Sequence, residues 1–159
     1  MTDLCEIVLD AIRAEIESMK FYEKLAAATK NFLLRDKLAF LASEENSHKR
    51  TLHKLLRDIA PEKTEGYENR IAGILAEEFK EPFEGTVSDL LFKAADFEKR
   101  SSDFYREKAK LFEKEGQKMI FFYLSVLEDE HYAILMKQYG FYKENEKFED
   151  YNEFIHLGP

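Results

Sequence analysis

Cysteine, proline and glycine are scarce in this sequence, and tryptophan is absent. Its 159 residues include one cysteine, three prolines and six glycines. The single cysteine, Cys5, excludes an internal disulfide and a zinc or iron site built from several cysteines of this chain. The scarcity of residues that break helices, together with abundant Glu, Lys, Leu and Ala, favours long helices. No segment shows the period-two alternation that is typical of a strand.

Positive charge is also limited, and long apolar runs are missing. The chain has 24 basic and 32 acidic residues, for a net charge of −8. A nucleic-acid surface needs clustered positive charge, so we expect no binding to nucleic acid. No apolar stretch reaches the roughly 18 residues of a membrane span, so we expect no membrane association. The acidic start is unlike a secretory leader and the lone cysteine suits a reducing compartment, which favours a cytoplasmic protein.

Two Glu-x-x-His motifs recur at a fixed offset along the chain. Glu45 precedes His48 by three residues, and Glu128 and His131 repeat this spacing 83 residues later. The same offset pairs further identical residues: Ala11 with Ala94, Glu15 with Glu98, Ser18 with Ser101, Phe21 with Phe104, Tyr22 with Tyr105, Leu41 with Leu124 and Leu52 with Leu135. Most of these positions follow one another in steps of three or four residues, which places them on one stripe of a helix. The chain is therefore predicted to contain two copies of one helical hairpin.

The repeat predicts an all-α fold, an antiparallel four-helix bundle made of two helical hairpins joined by a long crossover. The predicted helices span about 3–29, 32–60, 87–113 and 117–142. Gly116 is predicted to cap the C-terminus of the third helix. The crossover is placed at about 61–86, with a short helix in the segment NRIAGILAEEF, and it is long enough to run the length of the bundle. Residues 1–145 are predicted to form the bundle domain and residues 146–159 a C-terminal tail.

Carboxylates from all four helices are predicted to meet in the interior. In an antiparallel hairpin, residues equally far from the turn lie at the same height, and each glutamate is about 21 Å from its turn. Glu15 therefore faces Glu45, and Glu98 faces Glu128. A histidine three residues after a glutamate points the same way as that glutamate. The converging set is Glu15, Glu45, His48, Glu98, Glu128 and His131.

The surroundings of this set are expected to be apolar. The residues expected to point the same way are Phe40, Leu41, Leu52, Leu124, Ile134 and Leu135. Unpaired carboxylates are costly in such an interior, and two divalent or trivalent cations would neutralise them. Carboxylate oxygens and imidazole nitrogens suit iron or manganese, so the sequence predicts a binuclear metal site.

These motifs resemble those of the ferritin-like di-iron carboxylate superfamily and, within it, rubrerythrin-type proteins. The shared pattern is Glu…Phe-Tyr followed by Glu-x-x-His, present twice and covering most of residues 3–142. The resemblance implies a ferritin-like bundle that binds two iron ions, with manganese or a mixed-metal pair as other fillings.

The resemblance also assigns roles to the residues. Glu15 and Glu98 would be terminal ligands, Glu45 and Glu128 would bridge the two metals, and His48 and His131 would each bind one metal. Tyr22 and Tyr105 lie seven residues after the terminal glutamates and would orient a ligand carboxylate by a hydrogen bond. No catalytic residue beyond the ligands is expected.

Rubrerythrin-type proteins reduce hydrogen peroxide, which implies an oxidoreductase of oxidative stress with peroxide or dioxygen as its substrate. The chain departs from that type in two ways: it lacks the four-cysteine rubredoxin site, and Ser101 stands where an extra carboxylate is usual. Electrons would therefore come from a separate donor such as a rubredoxin. We expect a homodimer or a larger homo-oligomer.

Two other functions remain open at this point. The same six ligands fit a ferroxidase or iron-storage protein of the bacterioferritin type. The repeat could also serve packing alone, in a helical interaction module without catalysis.

Overall fold

The computed structural model describes residues 3–76 and 84–145, with side chains described for 3–73 and 84–145. Its helices are α1 (Leu4–Ala28), α2 (Phe32–Ile59), α3 (Thr64–Ala76), α4 (Val87–Ala109) and α5 (Glu115–Glu144), with a 3-10 turn at Pro61–Lys63. No strand occurs in these ranges, and the predicted all-α bundle of two helical hairpins is confirmed. Within the same ranges, no helix combines the length and apolar character that crossing a membrane requires.

Three of the four long helices begin at a side-chain cap. Asp3 accepts a hydrogen bond from the backbone N–H of Cys5 at 2.9 Å, and Asn31 accepts one from Leu33 at the start of α2, also at 2.9 Å. Thr86 and Asp89 cap α4 reciprocally, as in a capping box. These polar residues satisfy N–H groups that have no partner inside the helix, which explains where the helices begin.

The turn between α4 and α5 differs from the prediction. The helix α4 ends at Ala109 instead of near 113, and Gly116 lies in the first turn of α5, so it is not a C-cap. The reason is the side chain of Phe112, which is buried and packs against Phe121 with ring centroids 4.7 Å apart. Burying a phenylalanine side chain contributes roughly 1.5–3 kcal/mol, which stabilises the turn at this position.

Backbones approach most closely within each hairpin, α1 against α2 and α4 against α5, while α1 and α4 stand further apart. Two apolar cores fill the bundle. One lies at the end that holds the start of α1 and the turn after α4, and the other lies at the end that holds the start of α4. The helix α3 covers the first of these ends, where Tyr67 and Ile71 are buried against it.

Two other features of the fold differ from the prediction. Phe40 was expected to point inward but is 52% exposed, because the inner stripe of α2 is occupied by Leu38, Leu41 and Glu45. The short crossover helix begins at Thr64, earlier than the segment predicted. Residues 77–83 and the predicted tail at 146–159 lie outside the described residues, so the domain boundary at 145 stays a prediction.

Candidate metal centre

The six polar residues of the predicted set lie together between the two apolar cores. Each sits on the inner stripe of its helix, and none is more than 3% exposed. The members are Glu15 on α1, Glu45 and His48 on α2, Glu98 on α4, and Glu128 and His131 on α5. Because steps of three and four residues keep a position on one side of a helix, these side chains share the interior.

Their ligand atoms form two overlapping groups, in each of which all atoms lie within 4.8 Å of one another. The first group is Glu15, Glu45, His48 and Glu128, and the second is Glu45, Glu98, Glu128 and His131. Glu45 and Glu128 belong to both groups, whereas each remaining residue belongs to one. This arrangement can hold two cations with two shared carboxylates, the pattern that the resemblance implied; the ligand roles themselves stay predictions.

Each histidine contacts carboxylates of both hairpins. The Nδ1 atom of His48 lies 3.2 Å from Glu128 and 3.5 Å from Glu15. The Nδ1 atom of His131 lies 2.8 Å from Glu45 and 3.0 Å from Glu128. The two rings are stacked, with centroids 5.4 Å apart. Both imidazoles therefore turn a nitrogen towards the carboxylates at the centre.

The two tyrosines cross between the hairpins in the same way. The hydroxyl of Tyr22 on α1 donates to Oε1 of Glu98 on α4, and the hydroxyl of Tyr105 on α4 donates to Oε1 of Glu15 on α1. Both tyrosines are buried. Tyr22 of the first hairpin therefore orients Glu98 of the second, and Tyr105 of the second orients Glu15 of the first. Neither of these glutamates belongs to both ligand groups.

Burial sets the electrostatics of the carboxylates. It raises the pKa of Glu45, and the neighbouring charges of Glu15 and Glu98 raise it further. Burial, with the charge of Glu128, also raises the pKa of Glu98. The pKa of Glu128 is raised to about 7, again chiefly by burial. Without cations, Glu45 and Glu98 therefore keep their protons at neutral pH, and Glu128 is partly protonated.

Two groups of the cluster are held in their charged forms. Burial would raise the pKa of Glu15, but hydrogen bonds from Glu45 and His48 lower it to about 2. Burial would lower the pKa of His48, but its hydrogen bonds to Glu128 and Glu15 raise it to about 10. The pKa of His131, by contrast, is lowered by burial. The positive charge of His48 thus neutralises part of the carboxylate charge when no cation is bound.

A pair of metal ions fits the donor set. Among the described residues, Oε2 of Glu98 and Nε2 of His48 are buried without a hydrogen-bond partner. Leaving a buried polar atom unpaired costs about 1–3 kcal/mol. A bound cation would give the Glu98 oxygen a partner and remove this cost. Four carboxylates and two imidazoles, with no sulfur, are ligands that suit iron or manganese.

The structure adds a polar contact that the sequence analysis missed. Ser102 on α4 donates to Asp129 on α5 at 2.6 Å, and Arg106 donates to the same carboxylate at 2.8 Å. Asp129 follows Glu128, so this contact ties α4 to α5 beside a shared carboxylate. The available signal was the break in the repeat, since Met19 and Asn46 occupy the matching positions of the first hairpin.

Comparison with known proteins gives one family. A family model described as Rubrerythrin matches residues 6–139, a range that contains all six clustered residues and both tyrosines. A solved structure of a hypothetical protein from Pyrococcus furiosus is similar, with a TM-score of 0.69 and 27% identity; the match covers 87% of this chain and 89% of that one. No curated protein matches the chain.

Proposed function

The chain belongs to the rubrerythrin family, and from this membership we propose that it is a di-iron oxidoreductase that reduces hydrogen peroxide or dioxygen. The observation that carries the proposal is the overlap of two buried ligand groups at Glu45 and Glu128. Two ferrous ions would bring four positive charges to four carboxylates, which removes the cost of burying those charges.

The residues of the chain would bind and orient the metal pair. Glu45 and Glu128 would hold both ions, while Glu15 with His48 and Glu98 with His131 would each complete one side. Bound iron would supply the two electrons that convert one peroxide molecule and two protons into two water molecules.

Tyr22 and Tyr105 would keep the outer carboxylates in place. Burial, with the charges of Glu98 and Glu15 respectively, raises the pKa of each phenol well above its usual value. Both hydroxyls therefore stay protonated and continue to donate at physiological pH. The apolar cores on either side would exclude bulk water from the ligands.

Electrons for repeated turnover would come from outside the chain. Its one cysteine is buried at the start of α1, so this chain cannot form a four-cysteine iron site from its own residues. A small electron-transfer protein such as a rubredoxin is the proposed donor, and a homodimer or larger homo-oligomer is the proposed assembly.

Metal content and absorption of the purified protein test this proposal. We expect about two irons per chain and the absorption of a ferric pair after aerobic purification. The variants Glu45→Ala and His131→Ala should lose the metal, because each removes one of the clustered ligands. His53→Ala is the control, since His53 is partly buried on α2 outside the cluster. Metal content that is unchanged in the first two variants would discredit the site and leave a helical interaction module.

The substrate is decided by a second measurement on the reduced protein. Peroxide should oxidise it faster than dioxygen if it is a peroxidase, and Glu45→Ala should abolish this reaction. Repeated oxidation of added ferrous iron by a large hollow assembly, detected by size-exclusion chromatography, would instead favour the ferroxidase and iron-storage function.

A further inference from the structure

Two cavities lie in the cleft between α1 and α4, whose backbones approach less closely than those of the helices within each hairpin. The first, of about 180 Å³, is lined by Ser18, Phe21 and Tyr22 of α1 and by Ala94 and Phe97 of α4, among others. The second, of about 140 Å³, is lined by Ala11 and Ala14 of α1 and by Ser101, Phe104 and Tyr105 of α4, among others. We call them the Ser18 cavity and the Ser101 cavity.

The two cavities are related by the internal repeat. Ser18, Phe21 and Tyr22 correspond to Ser101, Phe104 and Tyr105 at the offset of 83 residues. On the opposite walls, Ala94 and Phe97 correspond to Ala11 and Ala14. Phe97 and Ala14 differ in size at matching positions of the repeat, and Phe97 also lines the Ser101 cavity.

Each cavity has a buried floor next to the metal ligands. Ser18, Tyr22 and Ala94 are at most 5% exposed. Tyr22 also donates its hydroxyl to Glu98, so the floor of the Ser18 cavity is one hydrogen bond away from a proposed ligand. The side chains at its mouth, Glu17 and Lys93, are exposed. The cavity thus leads from solvent to the edge of the carboxylate cluster.

Charge distinguishes the two mouths. Lys93 lines the Ser18 cavity, whereas its repeat counterpart Asp10 lines the Ser101 cavity. Arg100 borders both cavities and also pairs with Asp96 at 3.2 Å. Glu17 offsets one positive charge at the mouth of the Ser18 cavity, but Lys93 and Arg100 leave that mouth one charge more positive than the mouth of the Ser101 cavity, where Asp10 offsets Arg100. In a chain of net charge −8, this difference favours the approach of an anion to the Ser18 cavity.

We propose that the Ser18 cavity is the route by which small anions and small oxidants reach the metal centre, and that Ser18 and Lys93 determine what enters. This inference rests on the proposed function, because it assumes a metal centre behind Tyr22. The side chains around Ser18 would set the largest molecule that can pass, and Lys93 would set the preference for anions.

The rate of azide binding to the ferric protein tests the route. In Ser18→Leu the added side chain fills the cavity, so the rate constant, followed by stopped-flow absorption, should fall by about tenfold or more. The matched control is Ser101→Leu, which fills the related cavity and should change the rate less than about twofold. Metal content and the final azide spectrum should match wild type in both variants. Equal slowing in the two variants, or none in either, overturns the proposal.

The variant Lys93→Asp tests the charge preference. Azide binding should slow at low ionic strength, and the difference from wild type should shrink as salt is added, because exposed charges are screened. A rate that Lys93→Asp leaves unchanged at low salt would contradict the role of Lys93. If Ser18→Leu does not fold, Ala94→Val narrows the same cavity from the other helix, with Ala11→Val as its control.

A measurement on metal-free protein separates this inference from the proposed function. In a Cys5→Ser background, the thiol of Ser18→Cys should react faster with an anionic thiosulfonate reagent than with a cationic one, and the preference should vanish when Lys93→Asp is added. Failure of wild type to bind metal would refute the proposed function while leaving this result intact. Equal reactivity towards both reagents would refute the charged route.

Discussion

Tyr22 and Tyr105 connect the two hairpins at the level of single residues. Each is buried in one apolar core, and its hydroxyl reaches a glutamate of the opposite hairpin. A carboxylate that accepts such a bond is held in one orientation before any metal arrives. The loss of contacts of this kind usually weakens metal binding by about 10–100-fold.

We therefore expect Tyr22→Phe and Tyr105→Phe to fold like wild type and to bind ferrous or cobaltous ions at least about tenfold more weakly. Calorimetric titration under anaerobic conditions measures the affinity. Tyr139→Phe is the control, because Tyr139 packs on Phe92 with centroids 5.2 Å apart, outside the cluster. Wild-type affinity in both phenylalanine variants would show that the tyrosines only pack.

We also expect the cluster to release protons when it binds metal. The raised pKa values of Glu45 and Glu98, and that of Glu128 at about 7, mean that the metal-free cluster holds protons near neutral pH. Metal ligands must lose their protons, so protons and metal compete. Affinity should rise between pH 6 and pH 8, and titrations in buffers of different ionisation enthalpy should show protons leaving. An affinity that does not change over this range would contradict the protonated cluster.

The N-termini of α4 and α5 are stabilised differently. The N-terminus of α4, which carries Glu98, is closed by Thr86 and Asp89, whereas α5 begins after Lys114 with no side-chain cap. A capping side chain is worth about 1 kcal/mol because it satisfies an N–H group that has no partner in the helix. The two helices of the second hairpin thus differ in how their first turns are stabilised.

Thr86→Ala should lower the free energy of unfolding by about 1 kcal/mol, and Lys114→Asn should raise it by up to about 1 kcal/mol. Denaturant titration of the metal-free protein measures both changes. Thr51→Ala, in the interior of α2, shows the effect of losing a threonine that caps nothing. Metal content should stay at the wild-type value in all three variants, since none of them touches the cluster. An equal loss in Thr86→Ala and Thr51→Ala would rule out the cap.

The interior of the bundle is electrostatically unfavourable for charged carboxylates when no cation is bound. Two apolar cores enclose four carboxylates, and burial works against three of them being charged. A ligand that binds only the folded state stabilises it by about 2.7 kcal/mol at a free concentration of 100 times its dissociation constant. Metal binding and folding should therefore be coupled in this protein.

Glu98→Gln should separate these two effects. The folded pKa of Glu98 is raised, so the folded protein holds this proton more tightly than the unfolded chain. Wild type therefore loses stability as the pH rises above about 4.5. Neutral glutamine removes that loss, so the metal-free variant should be more stable than wild type at pH 7. Added metal should stabilise wild type and not the variant, as measured by thermal unfolding. Glu130→Gln, at an exposed position, should behave like wild type; a less stable metal-free Glu98→Gln would refute the idea.

Residue spacing alone predicts the four long helices and most of their inward-facing positions. Steps of three and four residues set the angle of Glu15, Glu45 and His48 around their own helix axes, and the offset of 83 residues repeats the arrangement in the second half. Phe40 was predicted to point inward with its neighbour Leu41, but Phe40 is exposed and Leu41 is buried. Adjacent residues of a helix lie about 100° apart around its axis, so they do not share a face.

Which residues of the opposite hairpin a side chain contacts depends on how the two hairpins pack against each other. Periodicity says nothing about the height and rotation of one hairpin relative to the other, because these depend on how both apolar cores pack. That packing brings Tyr22 to Glu98 and Tyr105 to Glu15, places Asp129 against Ser102, and leaves the cleft between α1 and α4. The sequence specifies which acidic and imidazole side chains each helix carries. The packing of the two hairpins brings these side chains together in one cluster.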